Sequence, residues 1–312
     1  MQKFGFVFPG QGSQKLGMLS QLAEHYPAII ETFNEASEII GIDIWDTSQR
    51  DTHNSLDQTQ VTQPVLLTAS IAIWRLWVQE GGPRPSVLAG HSLGEYSALV
   101  CAGVLQFRDA VQLVQKRGQF MQAAVPAGAG AMAAIVGLED YKIHEICESV
   151  AGNDVVAAAN FNSPGQIVIA GHKAAVERAM EACKKAGAKR TLPLNVSVPS
   201  HCALMKPAAE QLAREFDTVI FSPATVPVVQ NVCAEIVVNP ELIKENLVRQ
   251  LFNPVLWVDS IKLIHASGIS KLIECGPGKV LCGLIKRINS DLAAFGLDDN
   301  QSFQQAKDEV SM

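Results

Sequence analysis

The stretch that decides the fold is Val87-Leu88-Ala89-Gly90-His91-Ser92-Leu93-Gly94-Glu95-Tyr96, in which a short apolar run enters a Gly-x-Ser-x-Gly turn. A helical stretch follows, and this strand–turn–helix order is the context that a nucleophile elbow requires. Gly90 and Gly94 lack Cβ atoms, so strand and helix can approach while Ser92 takes a strained backbone conformation. The same motif also occurs in ordinary loops, but its flanking elements favour a serine nucleophile at the start of a helix, where free N–H groups stabilise an oxyanion.

Length and composition indicate a folded chain with an extensive core. Its 312 residues are 48% hydrophobic and 18% charged, which fits one large domain or two smaller ones. A net charge of −6 argues against nucleic acid as a partner. The seven cysteines are an odd number without a Cys-x-x-Cys pair, so we expect reduced core residues and no metal site.

The apolar segments bear on where the protein resides. The apolar run at residues 1–8 is too short for a signal peptide. No apolar stretch is expected to span a bilayer. Together with the reduced cysteines, these features predict an α/β protein of the cytoplasm that does not enter a membrane.

The first predicted strand, Phe4–Phe8, runs into the loop Pro9-Gly10-Gln11-Gly12-Ser13-Gln14. Two glycines after a strand indicate a backbone that closely approaches another group. Gly10 and Gly12 lack the third glycine of the dinucleotide fingerprint, so a nucleotide loop is disfavoured. We expect this loop to supply a second oxyanion donor beside the serine elbow.

Hydrophobic periodicity predicts the remaining helices and strands outside residues 126–195, which we call the larger unit. Asp109 is expected to cap the helix Phe107–Ala124, and the polar tail from Asp298 is expected to fray. The predicted helices are Pro27–Ile40, Asp57–Gln79, Tyr96–Cys101, Phe107–Ala124, Ala203–Phe216, Pro240–Leu251, Val258–Ala266 and Lys279–Arg287, and the further strands are Val226–Val229 and Lys271–Glu274.

Between Pro126 and Asn195 the predicted order changes to β-α-β-β-α-β, the ferredoxin-like pattern. This order predicts a ferredoxin-like subdomain over residues 126–195, inserted into an α/β-hydrolase-like core with a parallel sheet over residues 1–125 and 196–312. The polar segment Asn160–Gly165 is expected to be the turn between the middle strands of the insertion. It either faces a cleft or is a plain hairpin turn.

A serine nucleophile needs a base, and the chain has seven histidines. His201 is favoured because it is expected at a strand end outside the insertion, whereas His91 in the elbow should point away from Ser92. The other histidines remain open. No acid of the larger unit lies between Ser92 and His201 in hydrolase order, so we expect a neutral group, such as a later backbone carbonyl, to orient the imidazole.

Five stretches of the sequence occur together in a known family. They are Gly10-Gln11-Gly12-Ser13-Gln14, Gly90-His91-Ser92-Leu93-Gly94-Glu95-Tyr96, Arg117, Asn160-x-Asn162-Ser163-Pro164-Gly165-Gln166 and Pro199-Ser200-His201-Cys202. In combination they resemble the bacterial malonyl-CoA:acyl carrier protein transacylases, which serve fatty-acid synthesis. The resemblance extends from the first strand to about Arg287, nearly the whole chain.

The resemblance implies a set of catalytic roles. Ser92 is the expected nucleophile that carries malonyl as an ester, and His201 is the expected general base and acid. The backbone N–H groups of Gln11 and Leu93 are the expected oxyanion hole. The backbone carbonyl of Gln250 is expected to orient His201.

The resemblance also assigns the substrate contacts. Arg117 is expected to pair with the free malonyl carboxylate, although a helical arginine read from the residues alone is more often solvated. Met121, Asn160 and Asn162 are further expected substrate-binding residues. The implied reaction is ping-pong transfer from malonyl-CoA to the phosphopantetheine thiol of holo acyl carrier protein, a transient partner, with no metal or tightly held cofactor.

An acidic carrier protein requires a local basic patch on this net-negative chain. The expected docking residues are Lys189 and Arg190 on the insertion and Lys286 and Arg287 near the end of the larger unit, although ordinary solvated faces would have the same composition. Two other functions remain open: a serine esterase or thioesterase that uses water, and an inactive module that binds carrier protein.

Overall fold

The computed structural model describes residues 3–311. Met1, Gln2 and Met312, which belong to the predicted larger unit, lie outside this range. The strands are β1 (Phe4–Phe8), β2 (Val87–Gly90), β3 (Gly130–Val136), β4 (Val156–Ser163), β5 (Gln166–His172), β6 (Arg190–Pro193), β7 (Val228–Gln230), β8 (Glu235–Val237), β9 (Lys271–Glu274) and β10 (Ala293–Gly296).

The helices surround two separate sheets that these strands form. They are α1 (Ser20–His25), α2 (Pro27–Ile40), α3 (Ile44–Gln49), α4 (Thr59–Gln79), α5 (Gly94–Cys101), α6 (Phe107–Ala124), α7 (Asp140–Ala151), α8 (Lys173–Lys185), α9 (Lys206–Phe216), α10 (Pro240–Gln250), α11 (Trp257–Ala266), α12 (Val280–Ile288) and α13 (Asn300–Ser311). A single 3₁₀ turn, Ala203–Met205, precedes α9.

The larger sheet has the strand order β10-β9-β1-β2-β7-β8. Its neighbours are parallel except for the β7–β8 pair at one edge. All five residues of β1 are buried, as expected for a continuous apolar strand covered on both faces. The register sets Phe8 opposite Gly90, so the loop after β1 and the turn after β2 lie side by side at the carboxyl ends of their strands.

The turn after β2 is held by contacts that only glycine allows. A Cβ atom at Gly94 would lie 2.0 Å from the carbonyl oxygen of Phe8, and one at Gly90 would lie 1.9 Å from the backbone of Gly94. Ser92 between them has φ 52°, a left-handed conformation that is strained for a residue with a side chain. This geometry confirms the predicted close approach of strand and helix at residue 92.

Helix α4 corrects the expectation that no segment is long and apolar enough to span a bilayer. By length and composition its 21 residues pass that test. However, 83% of its most apolar window is buried inside the protein, and the core cluster of the larger unit includes Val65, Leu66 and Leu76. This burial is typical of a core helix in a large domain.

The smaller sheet has the order β4-β5-β3-β6 with antiparallel neighbours, and the elements of residues 130–193 follow the predicted β-α-β-β-α-β order. One face of the sheet forms a core with α7 and α8. The opposite face packs against Cys202. Phe161 donates a backbone hydrogen bond to Val255 O at 3.0 Å, which joins β4 to the larger unit.

The predicted turn at residues 160–165 is wrong in extent. Strand β4 continues to Ser163 through two irregularities in its pairing with β5, and only Pro164 and Gly165 turn. The polar residues Asn160 and Asn162 are therefore held on a strand. A strand position fixes their side chains more firmly than a free loop would.

Several other boundaries differ from the expectations. The N-cap of α6 is Gln106, and Asp109 lies in the first helical turn instead. The predicted helix from Ala203 begins as the 3₁₀ turn, and α4 begins at Thr59 because the preceding residues form turns. The tail is not frayed: α13 buries Phe303 and Val310 against the core.

The cysteines agree with the sequence analysis. All seven are free within the described residues, and the five buried ones are Cys101, Cys147, Cys183, Cys202 and Cys275.

Candidate active site

Ser92 and His201 lie in direct contact at the elbow. The Oγ atom of Ser92 is 2.7 Å from Nε2 of His201, and Nδ1 of His201 is 2.7 Å from the backbone oxygen of Gln250. A carbonyl oxygen can only accept, so Nδ1 carries the proton and the unprotonated Nε2 accepts from the serine hydroxyl. The geometry therefore has a neutral imidazole ready to take the proton of Ser92.

His201 is not at a strand end as predicted. It lies in an irregular segment between β6 and the 3₁₀ turn, with φ 63°. Its backbone N–H donates to Leu251 O at 3.0 Å, and only 3% of the residue is exposed. Two contacts to the end of α10, one from the backbone and one from the ring, replace the strand as the support for the imidazole.

The surroundings of His201 favour its neutral form. Burial lowers its pKa, and the positive charge of Arg117 lowers it further, to about 3. The hydrogen bond to Gln250 opposes this shift but does not cancel it. The imidazole is thus a base that stays unprotonated throughout the neutral range.

His91 takes part in a different contact. Its Nε2 donates to Oδ1 of Asn162 at 2.8 Å, which links the elbow to β4 of the smaller sheet. Its ring packs edge-on to Trp257, with centroids 5.4 Å apart. The expectation that this side chain points away from Ser92 agrees with these contacts.

Arg117 is buried, which overturns the solvated face that its residue type favours. Only 1% of it is exposed, and Nη1 donates to Oε1 of Gln63 at 2.8 Å. Nη2 donates to Oε1 of Gln250 at 3.0 Å and to Ser92 Oγ at 3.3 Å. Its Nε is buried without a partner among the described residues, so the guanidinium has an unused donor.

Close packing of α6 against α4 explains the burial of Arg117. A Cβ atom at Gly118 would lie 2.5 Å from the Cα of Gln60, so the two helices approach to a distance that only glycine permits. The guanidinium also lies over the ring of Tyr96, 5.5 Å from its centroid. The charge is therefore desolvated and held in place by neutral groups.

A network of buried amides supports the elbow, and sequence reasoning missed most of it. Asn231 Oδ1 accepts from the Ser92 N–H at 2.7 Å, and its Nδ2 donates to Gly90 O at 2.6 Å. The Gln250 side chain donates to Ser92 O at 3.1 Å. Glu95 accepts from the Asn231 N–H at 2.9 Å. Of the supporting side chains, that of Glu95 has a signal in its place in the elbow motif and that of Asn231 has none, whereas the resemblance implied only the backbone carbonyl of Gln250.

The two expected oxyanion donors lie in the turn after β2 and in the loop after β1. Leu93 is the N-cap of α5, and Gln11 lies in the loop beside it. Neither backbone N–H has an acceptor within residues 3–311. Both residues line the cavity that also contains Ser92 and His201. The two N–H groups are thus available for an oxygen atom of a substrate.

The cavity at the elbow has a volume of about 350 Å³ and lies between the two sheets. Met121, which is 1% exposed, lies in its wall. Asn160 and Asn162 line it from β4, and Oδ1 of Asn160 is buried without a partner among the described residues. All the expected substrate-binding residues therefore face one cleft.

The expected docking residues are exposed. Arg287 donates to Oε1 of Gln166 at 2.5 Å, and Gln166 lines the cavity. Lys286 lies beside it at the end of α12, whose first turns line the same cavity. Lys189 and Arg190 are exposed at the start of β6. Within the part of the chain that the structure describes, no group of three or more His, Cys, Asp and Glu side chains is arranged to hold a metal ion.

A serine hydroxyl bonded to a neutral histidine at a strained strand-to-helix turn is the arrangement of enzymes that transfer acyl groups through a serine ester. Comparison with known proteins narrows that class. The chain belongs to the acyl transferase domain family, whose model matches residues 5–293.

Similar proteins cover almost the whole chain. A protein of Salmonella typhimurium named malonyl CoA-acyl carrier protein transacylase is 57% identical over 306 residues, which is 98% of this chain and 99% of the relative. The crystal structure of an acyl carrier protein S-malonyltransferase from Vibrio cholerae is 56% identical, with TM-score 0.96 over 98% of this chain and 100% of that one.

A second similar structure contains a partner. It is a type II polyketide synthase acyl carrier protein in complex with its malonyl-transacylase, which is 53% identical to this chain with TM-score 0.97. The match covers 99% of this chain and 100% of that one.

Proposed function

We propose that this chain transfers the malonyl group from malonyl-CoA to the phosphopantetheine thiol of holo acyl carrier protein. The observation that carries this proposal is the buried guanidinium of Arg117, 3.3 Å from the hydroxyl of Ser92. A malonyl thioester carries a free carboxylate a few bonds from its reacting carbonyl, and a planar guanidinium is suited to bind it through paired hydrogen bonds. The names of the similar proteins support the same substrate and partner.

In the first half of the reaction, Ser92 Oγ attacks the thioester carbonyl while Nε2 of His201 takes the hydroxyl proton. The carbonyl oxygen becomes an oxyanion, which the N–H groups of Gln11 and Leu93 stabilise. The C–S bond then breaks, and His201 returns the proton to the departing sulfur of CoA. The product is a malonyl ester on Ser92.

In the second half, the thiol of the carrier protein loses its proton to Nε2 of His201 and attacks the ester. A second oxyanion forms in the same oxyanion hole, the C–O bond to Ser92 breaks, and the proton returns to Oγ. Because one site serves two acyl acceptors in turn, the kinetics are expected to be ping-pong. The chain's own groups suffice for these steps without a cofactor.

A transferase must favour a thiol over water. We attribute this preference to the neutral carbonyl of Gln250 as the partner of His201, and to the partly apolar wall of the cleft, where Met121 and Val168 lie. The test is the lifetime of the malonyl-enzyme. Hydrolysis far slower than transfer to the carrier thiol is expected, and hydrolysis at an equal rate would refute this explanation.

We assign residues 126–195 to a ferredoxin-like subdomain on the strength of its β-α-β-β-α-β order. Residues 1–125 and 196–312 form the α/β-hydrolase-like core, an assignment supported by the parallel sheet and the elbow. The free cysteines support a cytoplasmic location.

Carrier-protein docking is assigned to Lys189, Arg190, Lys286 and Arg287. The contact of Arg287 with Gln166 supports this assignment, since it places a cation at the mouth of the cleft. An acidic carrier that lies across these residues would present its phosphopantetheine arm to Ser92.

The proposal is tested with malonyl-CoA and holo acyl carrier protein as substrates, and formation of malonyl-carrier is followed by mass spectrometry. We expect transfer that depends on Ser92. Double-reciprocal plots of the initial rate against malonyl-CoA concentration should give parallel lines at different carrier concentrations, as ping-pong kinetics require. Release of free malonate with no malonyl-carrier would instead identify a thioesterase.

A further inference from the structure

Glu95 is a buried acidic group that the mechanism above does not use, and burial raises its pKa to about 7. It is 1% exposed, and its Oε2 accepts from the Asn231 N–H at 2.9 Å and from Gln250 Nε2 at 3.0 Å. Its Oε1 is buried and has no partner within residues 3–311. A carboxylate buried at this cost, one residue after Gly94 of the elbow, calls for a functional explanation.

Glu95 is the nearest of three acceptors that orient the Gln250 amide: Nε2 donates to Glu95 Oε2 at 3.0 Å, to Ser92 O at 3.1 Å and to Asn231 Oδ1 at 3.4 Å. A carboxylate oxygen facing Gln250 accepts, so the NH₂ end of the amide must point to Glu95. The opposite end, Oε1, then faces Arg117 and accepts from Nη2 at 3.0 Å. A flipped amide would set its NH₂ against the guanidinium, donor against donor.

We propose that Glu95 is a positioning residue that sets acyl-group selectivity, because it orients the Gln250 side chain and thereby holds the guanidinium of Arg117 beside Ser92. The proposal rests on the proposed function, in which Arg117 binds the malonyl carboxylate. The connection runs through one amide, from Glu95 Oε2 to Gln250 Nε2 and from Gln250 Oε1 to Arg117 Nη2.

The imidazole of His201 is supported separately from this connection. His201 is oriented by the backbone carbonyl of Gln250, which lies at the end of α10 and does not depend on the side-chain amide. Ser92 is held at its N–H by Asn231 Oδ1, and Asn231 also donates its backbone N–H to Glu95, so loss of Glu95 should affect the serine to a smaller extent. Loss of Glu95 should therefore weaken recognition of the charged acyl group more than the attack of the serine.

The test compares Glu95→Ala with Glu95→Gln. A glutamine keeps an acceptor oxygen for both donors, so Glu95→Gln should retain selectivity, whereas Glu95→Ala should not. The measured quantity is the ratio of kcat/KM for self-acylation by malonyl-CoA to that by acetyl-CoA, followed by intact mass. In Glu95→Ala we expect this ratio to fall about tenfold, mostly through a higher KM for malonyl-CoA, since an orienting hydrogen bond to a charged group contributes on that order.

A matched control is Glu274→Ala. Glu274 is a second fully buried carboxylate with two backbone donors, Leu281 N at 3.0 Å and Cys282 N at 2.8 Å, but it has no contact with Arg117 or Gln250. A purely structural loss lowers the active fraction and reduces both acylation rates by one factor. We expect that behaviour from Glu274→Ala only.

An unchanged selectivity ratio in Glu95→Ala, or an equal loss of ratio in Glu95→Gln, would overturn the proposal. Failure of the proposed function is a separate result, because wild-type protein would then form no malonyl adduct. If Glu95→Ala does not fold, Glu95→Leu fills the volume without an acceptor and is read by the same ratio.

Discussion

Nη2 of Arg117 lies 3.3 Å from Oγ of Ser92, so a fixed positive charge adjoins the proposed nucleophile. The same guanidinium donates to two glutamines, Gln63 at 2.8 Å and Gln250 at 3.0 Å, both of them neutral. No carboxylate contacts it directly within the described residues. Its charge therefore remains available to an acidic acyl group that enters the site.

Arg117→Lys should weaken recognition of the malonyl carboxylate. Lysine keeps the charge but offers no planar fork, so it cannot bond Gln63 and Gln250 while it faces a carboxylate. We expect kcat/KM for malonyl-CoA to fall about tenfold to a hundredfold, which corresponds to about 1.4–2.8 kcal/mol. Acylation by acetyl-CoA should change far less, because lysine keeps the positive charge near Ser92 and His201 and acetyl has no carboxylate to bind. Equal losses for both substrates would contradict the assigned role.

The pH dependence of Ser92 reactivity follows from the pKa of His201. Burial and Arg117 lower that pKa to about 3 from an ordinary 6.5, so the reactive neutral form persists as the pH falls from 8 to 5. The rate at which a neutral fluorophosphonate labels Ser92 should therefore show no decrease caused by protonation of His201 across this pH range. The other charged or titratable neighbour that lowers the pKa is His91.

The same labelling experiment on Arg117→Ala tests whether the charge of Arg117 lowers the pKa of His201. Removal of the positive charge raises the pKa of His201, so protonation begins at higher pH and labelling should decline earlier as the solution is acidified. A probe without charge is used because it does not need the guanidinium for binding. A wild-type rate that falls tenfold per pH unit below 6.5 would refute the neutral-base description.

The elbow is expected to tolerate no side chain at Gly94. Its Cβ would lie 2.0 Å from Phe8 O, which is backbone and cannot move aside cheaply. Gly94→Ala should lower the free energy of unfolding by about 2–3 kcal/mol and slow acylation of Ser92, as overpacking does in close-packed cores. Chemical denaturation and self-acylation rates measure the two effects.

The control for Gly94→Ala is Gly283→Ala, in the middle of α12. The nearest atom to its Cβ position is Nη2 of Arg287, at 3.8 Å. Alanine there should leave acylation unchanged and stabilise the protein by about 0.5–1 kcal/mol through helix propensity. If both variants behave alike, the tight approach of strand and helix is not what shapes the elbow.

Charge reversal tests the docking surface. Arg190→Glu and Arg287→Glu should each raise KM for holo acyl carrier protein several-fold at low salt and leave acylation by malonyl-CoA unchanged, because electrostatic steering acts on the encounter. Arg84→Glu is the control, since Arg84 is exposed and precedes β2 at the end of the sheet opposite the elbow. Effects equal to those of Arg84→Glu would leave the patch without a role.

The elbow and several helices are predictable from the sequence because their signals are local. The bounds of α2 and α6 coincide with the apolar periodicity, and the Gly-x-Ser-x-Gly motif gives the strand–turn–helix unit directly. The short strands β8 and β10 carry too few residues for a pattern, and they were not predicted.

The parts of the site that escaped prediction depend on contacts between distant segments. The burial of Arg117 follows from how closely α6 packs on α4 at Gly118, which no single helix reveals. Asn231 lies 139 residues from its partner Ser92, and no local motif marks it. A later backbone carbonyl as the partner of His201 was expected from the residues, but its assignment to Gln250 came from the family resemblance.

The most direct test of the central claim is the intact mass of the protein after mixing with malonyl-CoA, beside acetyl-CoA and the variants Ser92→Ala and Arg117→Ala. We expect a malonyl adduct on the wild type that is absent in Ser92→Ala and much reduced in Arg117→Ala. An acetyl adduct equal to the malonyl adduct on the wild type would contradict the role of the guanidinium. Release of CoA through Ser92 without any adduct would identify a hydrolase instead.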